Sequence, residues 1–209
     1  MYNRENELIK KIALSINNIK RIENNYSLLN LSDIINLKKA LSGINNIATY
    51  KVTIASLDWA CKYFNISENV KQDCLKKINE TSPNANGFDI IIHDKNKQIL
   101  IEVKAIIPIN NGKKYVAMQK ASILNDAIKL LNGKKSLKDT KDYYKIITVL
   151  EIPDVTDNAI KDILKEVNSK SIDPNRIKRN EVVSKLLKIP QQIKNLSKDR
   201  VYIVPIKIE

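Results

Sequence analysis

Glycine and proline are scarce, four and six among 209 residues. That excludes a collagen-like or low-complexity polymer. Two cysteines, Cys61 and Cys74, and one histidine, His93, complete a short list of soft metal ligands. Two cysteines thirteen residues apart without partner histidines make neither a zinc site nor a disulfide scaffold. The expectation is buried free thiols in a reducing, cytoplasmic setting. No run approaches the ~20 apolar residues of a membrane span. The opening stretch, MYNRENELIKK, lacks an apolar signal core, so no membrane partner is expected. Arginine is also rare, with five in the chain.

What is present is apolar mass and positive charge. Hydrophobic residues make up 43% of the chain, enough to bury a real core. The length suggests a single compact domain, with a helical region over 1–80 packed on a core over 81–209. The formal net charge is +13. Residues 95–145 carry a net +8 and residues 176–200 a net +6, while residues 146–175 are net acidic. The richness in Lys, Asn and Ile fits a compositional bias that inflates lysine. That bias does not explain the blocks, which suit a polyanion such as nucleic acid.

Periodicity sets the expected elements. Helices are expected over 4–24, 32–42 (Ser32 as cap, Gly43 as stop), 53–64 and 67–79 (Thr53 and Ser67 as caps). A further helix spans 115–132, with a stripe of Ala117, Ala121, Leu124, Ile128 and Leu131 and Gly133 as its stop. Shorter helices follow at about 156–168, 178–187 and 190–196. Strands are expected at 143–152 and 201–208. The strand–helix–strand order around 115–132 implies a parallel crossover. The fold class is therefore α/β, a mixed sheet flanked by helices with a helical N-terminal region. Residues 56–78 have a helix-turn-helix look, but lack a turn glycine and read better as a plain helical hairpin.

The richest segment is GFDIIIHDKNKQILIEVKA, Gly87 to Ala105. Phe88–His93 and Gln98–Ile107 are β-branched apolar runs separated by polar, turn-compatible residues. A two-residue loop at Lys95-Asn96 pairs Asp94 with Lys97, Ile91 with Leu100 and Asp89 with Glu102. Alternation then puts Asp89, Ile91, His93, Glu102 and Lys104 on one face. The other face carries Phe88, Ile90, Ile92, Ile101, Val103 and Ala105. Opposed carboxylates repel unless a cation compensates them, which argues for a bound metal. A second acid-x-Lys, Asp139-Thr140-Lys141, has no strand around it and reads as a solvated loop.

An acid on one strand followed by acid-x-Lys on the next resembles the PD-(D/E)xK nuclease superfamily, which includes most type II restriction endonucleases. The resemblance covers about 50 residues, Glu80 to Gly133. The usual proline before the first acid is replaced by Phe88. The resemblance implies Mg²⁺ held by Asp89, Glu102 and the Val103 carbonyl, with Lys104 orienting water and offsetting charge. It implies hydrolysis of double-stranded DNA by a homodimeric restriction enzyme, with a cognate methyltransferase encoded nearby. A modification-dependent or other phage-defence nuclease is an alternative. In a different class, a DNA-binding regulator with a dead core is another.

Further candidates surround this set. Glu80, nine residues before Asp89, is positioned to add a ligand. Gln119 or Lys120, early in the 115–132 helix, is a candidate active-site neighbour; Lys113 and Lys114 offer a phosphate site. Residues 171–180, SIDPNRIKRN, bring together Arg176, Lys178, Arg179 and Asn180, side chains able to read guanine and adenine or to face phosphates. His93 lies at the far end of the hairpin and reads as an edge residue.

Overall fold

Largely apolar runs of three to eight residues form the sheet, and longer amphipathic stretches cover it on both sides. The computed structural model describes residues 3–20, 31–82, 87–95, 97–108, 113–165 and 180–208. The helices are α1 (Arg4–Lys20), α2 (Leu31–Phe64), α3 (Glu68–Glu80), α4 (Ala117–Asn132) and α5 (Val155–Leu164). The strands are β1 (Ile90–Asp94), β2 (Lys97–Lys104), β3 (Tyr144–Leu150), β4 (Leu186–Lys188) and β5 (Val201–Ile206). They form one five-stranded sheet in the order β1-β2-β3-β5-β4. β1 runs antiparallel to β2; the other pairs are parallel. This is the mixed α/β sandwich expected from the sequence, with the β2–α4–β3 crossover parallel as predicted.

Two cores lie on opposite faces of the sheet. On one, Ile90, Ile92, Ile99, Ile101 and Ile146 pack against Leu57, Ala60 and Phe64 of α2 and Ile78 of α3. On the other, Leu100, Ile147, Val149 and Ile203 pack against Ile123, Ala127 and Leu130 of α4 and Ile160 and Ile163 of α5. Burying each such side chain contributes roughly 1.5–3 kcal/mol, so a charged group on either face stands out.

Several expectations need correction. Residues 32–42 and 53–64 are one continuous 34-residue helix, α2, rather than two. Gly43 is buried within it. Thr53, expected as a cap, instead donates its hydroxyl to Thr49 O one turn back, and Ser56 donates to Val52 O in the same way. Ser56 also reaches Thr148 on β3 at 2.8 Å, which seats α2 on the sheet. The buried stripe of α4 is Ile123, Asp126, Ala127 and Leu130, while Ala117 and Ala121 are exposed. After α5, residues 180–184 are helical and then give way to the unforeseen short strand β4; residues 193–195 make only a single 3-10 turn.

The hairpin tip ties the sheet to the helical layer. Asp94 accepts hydrogen bonds from Ser67 N and Ser67 Oγ, at 3.1 and 3.3 Å. Lys97, its partner across the hairpin, donates to the Phe64 and Asn65 carbonyls. Asp94 thus serves the N-terminus of α3, and Lys97 the C-terminus of α2. Ser67, expected to cap α3 with its side chain, makes no such bond. The α2–α3 pair is a helical hairpin whose joint turns at Asn65, at φ 49°.

Candidate active site

The register of the hairpin is the one read from the sequence. Asp94 pairs with Lys97 and Ile91 with Leu100, and the pairing continues to Ile90 opposite Ile101. Asp89 lies one residue outside β1, in a bend, and Glu102 lies within β2. Asp89 Oδ2 accepts a 2.7 Å hydrogen bond from Val103 N. The first acid is therefore fastened to the backbone of the second acid's own strand. Phe88, expected on the opposite face with Ile90, also precedes the strand and belongs to the core beneath α4.

The two acids have different surroundings. Asp89 is exposed. Glu102 is only 4% exposed, on the face covered by α4. Burial pushes its carboxyl up to about 7, and the Asp89 charge adds to the rise; Lys134 opposes it. A buried acid without full compensation is costly.

One lysine answers that cost at Glu102. The Lys134 ammonium makes a close ion pair with Glu102 Oε1, from a direction that gives this oxygen no directed hydrogen bond. The same ammonium donates to Gly87 O and sits 4.8 Å from the centre of the Phe88 ring. Lys134 is held there by reciprocal backbone hydrogen bonds with Leu137, at 2.9 and 3.0 Å. Gly133, at φ 83°, turns the chain from α4 into this loop. A Cβ there would strike the Leu137 and Lys138 carbonyls.

Lys104 lies on the same face as Glu102, and its ammonium is 2.5 Å from Asp126 Oδ2. Asp126 is buried on α4 and also meets Lys129 at 2.8 Å. Neither Asp126 nor Lys134 was identified from the sequence. Asp126 had a signal, an acid within an apolar helical stripe, once that stripe is placed correctly. Lys134 had none, because its partner is 32 residues away.

The remaining candidates are scattered. Glu80 is exposed at the end of α3, and no group of three or more His, Cys, Asp or Glu forms a metal cluster among the described residues. It therefore does not join Asp89 and Glu102. Gln119 is a structural cap: its Oε1 accepts from Val116 N at 3.0 Å, and its Nε2 donates to Ile107 O at 2.9 Å. Lys120 pairs with Asp162 of α5 at 3.5 Å. Lys113 and Lys114 are exposed ahead of α4. Arg176, Lys178 and Arg179 lie outside the described residues, while Asn180 begins the helical turn before β4. His93 is exposed and its Nε2 lies 2.9 Å from Tyr143 Oη. Cys61 and Cys74 are buried free thiols as expected, and burial pushes Cys61 up to about 11. Asp139-Thr140-Lys141 is a loop, as read from the sequence, but only Asp139 and Lys141 are solvated; Thr140 is buried and donates to Leu131 O at 3.2 Å.

The donor set suits a hard divalent cation. Mg²⁺ commonly binds through one or two protein carboxylates and keeps several waters, so two acids suffice. Glu102 Oε1 is buried without a directed hydrogen bond, and the cation now paired with it is the Lys134 ammonium.

Residues 58–125 match the family model described as Protein NO VEIN, C-terminal. The matched segment begins in α2 and ends in α4, about a third of the chain. It contains Asp89, Glu102 and Lys104, and stops just before Asp126. No curated protein and no solved structure gives a significant match to the chain. Among the described residues, no helix is long and apolar enough to cross a membrane.

Proposed function

We propose that this chain is a Mg²⁺-dependent DNA endonuclease of the PD-(D/E)xK type. The observation that carries the proposal is the coupling of exposed Asp89 to buried Glu102 through the Val103 N–H, on a face shared with Lys104. Two oxygen acids, one just ahead of β1 and one within β2, with a lysine beside them, are the minimal set for phosphodiester hydrolysis. When bound, Mg²⁺ supplies Lewis-acid polarisation of the phosphate and a nucleophilic water at neutral pH. Asp89, Glu102 and the Val103 carbonyl are the residues that would hold it.

The chain's own groups do the rest. Asp89 presents its carboxylate at the surface, where a DNA backbone can approach. Glu102 anchors the site from beneath. Lys104, a compact point charge, offsets the negative charge that builds on the phosphate in the transition state. Asp126 holds that ammonium in place. Lys134 holds the Glu102 oxygen that a divalent cation would take, so its ammonium would have to give way to the metal. Exposed Lys113 and Lys114 add attraction for the phosphate backbone.

Double-stranded DNA is the proposed substrate, cut in the cytoplasm. One site per chain cuts one strand, so a homodimeric type II restriction enzyme is the leading form. A methyltransferase encoded nearby would protect the host's own sites. A modification-dependent or other phage-defence nuclease is the variant within this class. One observation favours a second reading. Lys134 and Asp126 pair the charges of Glu102 and Lys104 within the chain, as a non-catalytic DNA-binding regulator would require for stability alone.

The test is incubation with methylated and unmethylated phage DNA, with Mg²⁺ or with EDTA. Discrete Mg²⁺-dependent bands from unmethylated DNA support a restriction enzyme. Bands from methylated DNA alone support the modification-dependent form. Binding without cutting in every condition would replace the nuclease by the regulator.

A further inference from the structure

The helical layer does not lie flat on the sheet. Between α1, α2, α3 and the outer edge of β1 it leaves a cavity of about 640 Å³. That falls within the range of small-molecule sites, roughly 300–1,000 Å³, and is too small for a duplex. Its lining mixes apolar side chains, Val70, Ile78, Phe88 and Ile90, with polar ones that include Asn46 and Asp73. Asp89 stands in its wall.

Arg4 marks it as a place for an anion. Its guanidinium lies 5.5 Å from the centre of the Tyr50 ring. Tyr50 is itself fixed by donating to Asn79 Oδ1 at 2.7 Å. Arg4 Nε is buried and has no hydrogen-bond partner among the described residues. An unpaired buried donor is costly to leave and is satisfied by an oxyanion.

We propose that this cavity receives a single unpaired nucleotide of the substrate strand. The base packs against the apolar part of the lining with its edge toward Asn46 and Asp73, a phosphate meets Arg4, and the adjoining phosphodiester is delivered to Asp89. The proposal rests on the nuclease reading and narrows its substrate to DNA with a base out of the stack. Extrusion costs a few kcal/mol, and least where the base is already unpaired.

The test is fluorescence anisotropy of the full chain, in Ca²⁺, with three DNAs: a fully paired duplex, the same duplex with one unpaired 2-aminopurine nucleotide, and the single strand. The bulged duplex is expected to bind about tenfold or more tightly than the paired one, with a change in 2-aminopurine emission. Arg4→Ala, and Ser82→Trp at an exposed position of the cavity rim, bring its affinity down to that of the paired duplex. A single strand that binds as well as the bulge identifies a free strand as the source of the nucleotide; weaker binding identifies extrusion from a duplex. Equal affinity for bulged and paired DNA overturns the proposal, as do variants that weaken both alike. Mg²⁺-dependent cutting without that preference sinks the cavity proposal and leaves the nuclease standing. The preference without cutting does the reverse.

Discussion

Lys104 Nζ lies 2.5 Å from Asp126 Oδ2, and that buried carboxylate also holds Lys129 at 2.8 Å. The lysine of the acid-x-Lys motif is thus aimed from the covering helix, not from its own strand. A flexible ammonium without such a partner would sample many positions.

Asp126→Asn preserves shape and removes the charge that orients Lys104. The expected outcome is a fall in kcat of about ten- to a hundredfold, with KM for DNA within about twofold. Steady-state kinetics on one oligonucleotide separates the two. A change confined to KM would contradict a positioning role.

Lys134→Met leaves buried Glu102 without its cation. In EDTA at pH 8 the variant is expected to lose about 1–3 kcal/mol of stability. It is also expected to bind Mn²⁺ more tightly, because no ammonium has to leave Glu102 first. Chemical denaturation and titration calorimetry check these separately. Unchanged metal affinity would show that Lys134 and the cation do not compete.

Glu102 gives the metal-free protein a defined pH dependence. Its carboxyl rises from 4.5 to about 7 on folding, so the folded state holds the proton more firmly. Below about pH 4.5 both states are protonated and no difference exists. Between about 4.5 and 7 the unfolded chain ionises first and stability falls; above about 7 the full loss is present. Glu102→Gln should therefore be more stable than the parent at pH 8 by about 2–3 kcal/mol, with the Lys134 pairing already counted in the Glu102 shift. The two should converge near pH 4. Denaturation curves in EDTA at both pH values test this, and a constant gap between the proteins would refute it.

Asp94 joins the hairpin tip to α3 through both Ser67 N and Ser67 Oγ. Asp94→Ala is expected to destabilise the fold by about 1–2 kcal/mol, as loss of a helix cap does. Hydrogen exchange should accelerate first in the opening turn of α3. Unchanged protection there would mean the tie contributes nothing.

The hairpin was legible because its signals are local. A two-residue turn and strict alternation set Asp94 against Lys97, and the rest of the register follows. The helical layer was less so. Gly43 and Thr53 read as a stop and a cap, yet Tyr50 and Val52 between them are buried in the same core as Leu57, Ala60 and Phe64, which favours one continuous helix. In α4 two overlapping stripes are apolar, and only the sheet decides that Ile123, Ala127 and Leu130 face inward. Asp89 and Glu102 could be paired from the hairpin alone. Lys134 could not, because its contact with Glu102 depends on where the loop after α4 folds back.

The most direct measurement is cleavage of one unmethylated phage DNA by the parent chain and by Glu102→Gln, each with Mg²⁺ and with EDTA. The expected result is cutting by the parent in Mg²⁺ alone, and a loss on the order of a hundredfold or more in the variant. Thermal melting should show the variant still folded. Cutting by Glu102→Gln at the parent's rate, or by the parent in EDTA, would contradict an active site built on Asp89 and Glu102.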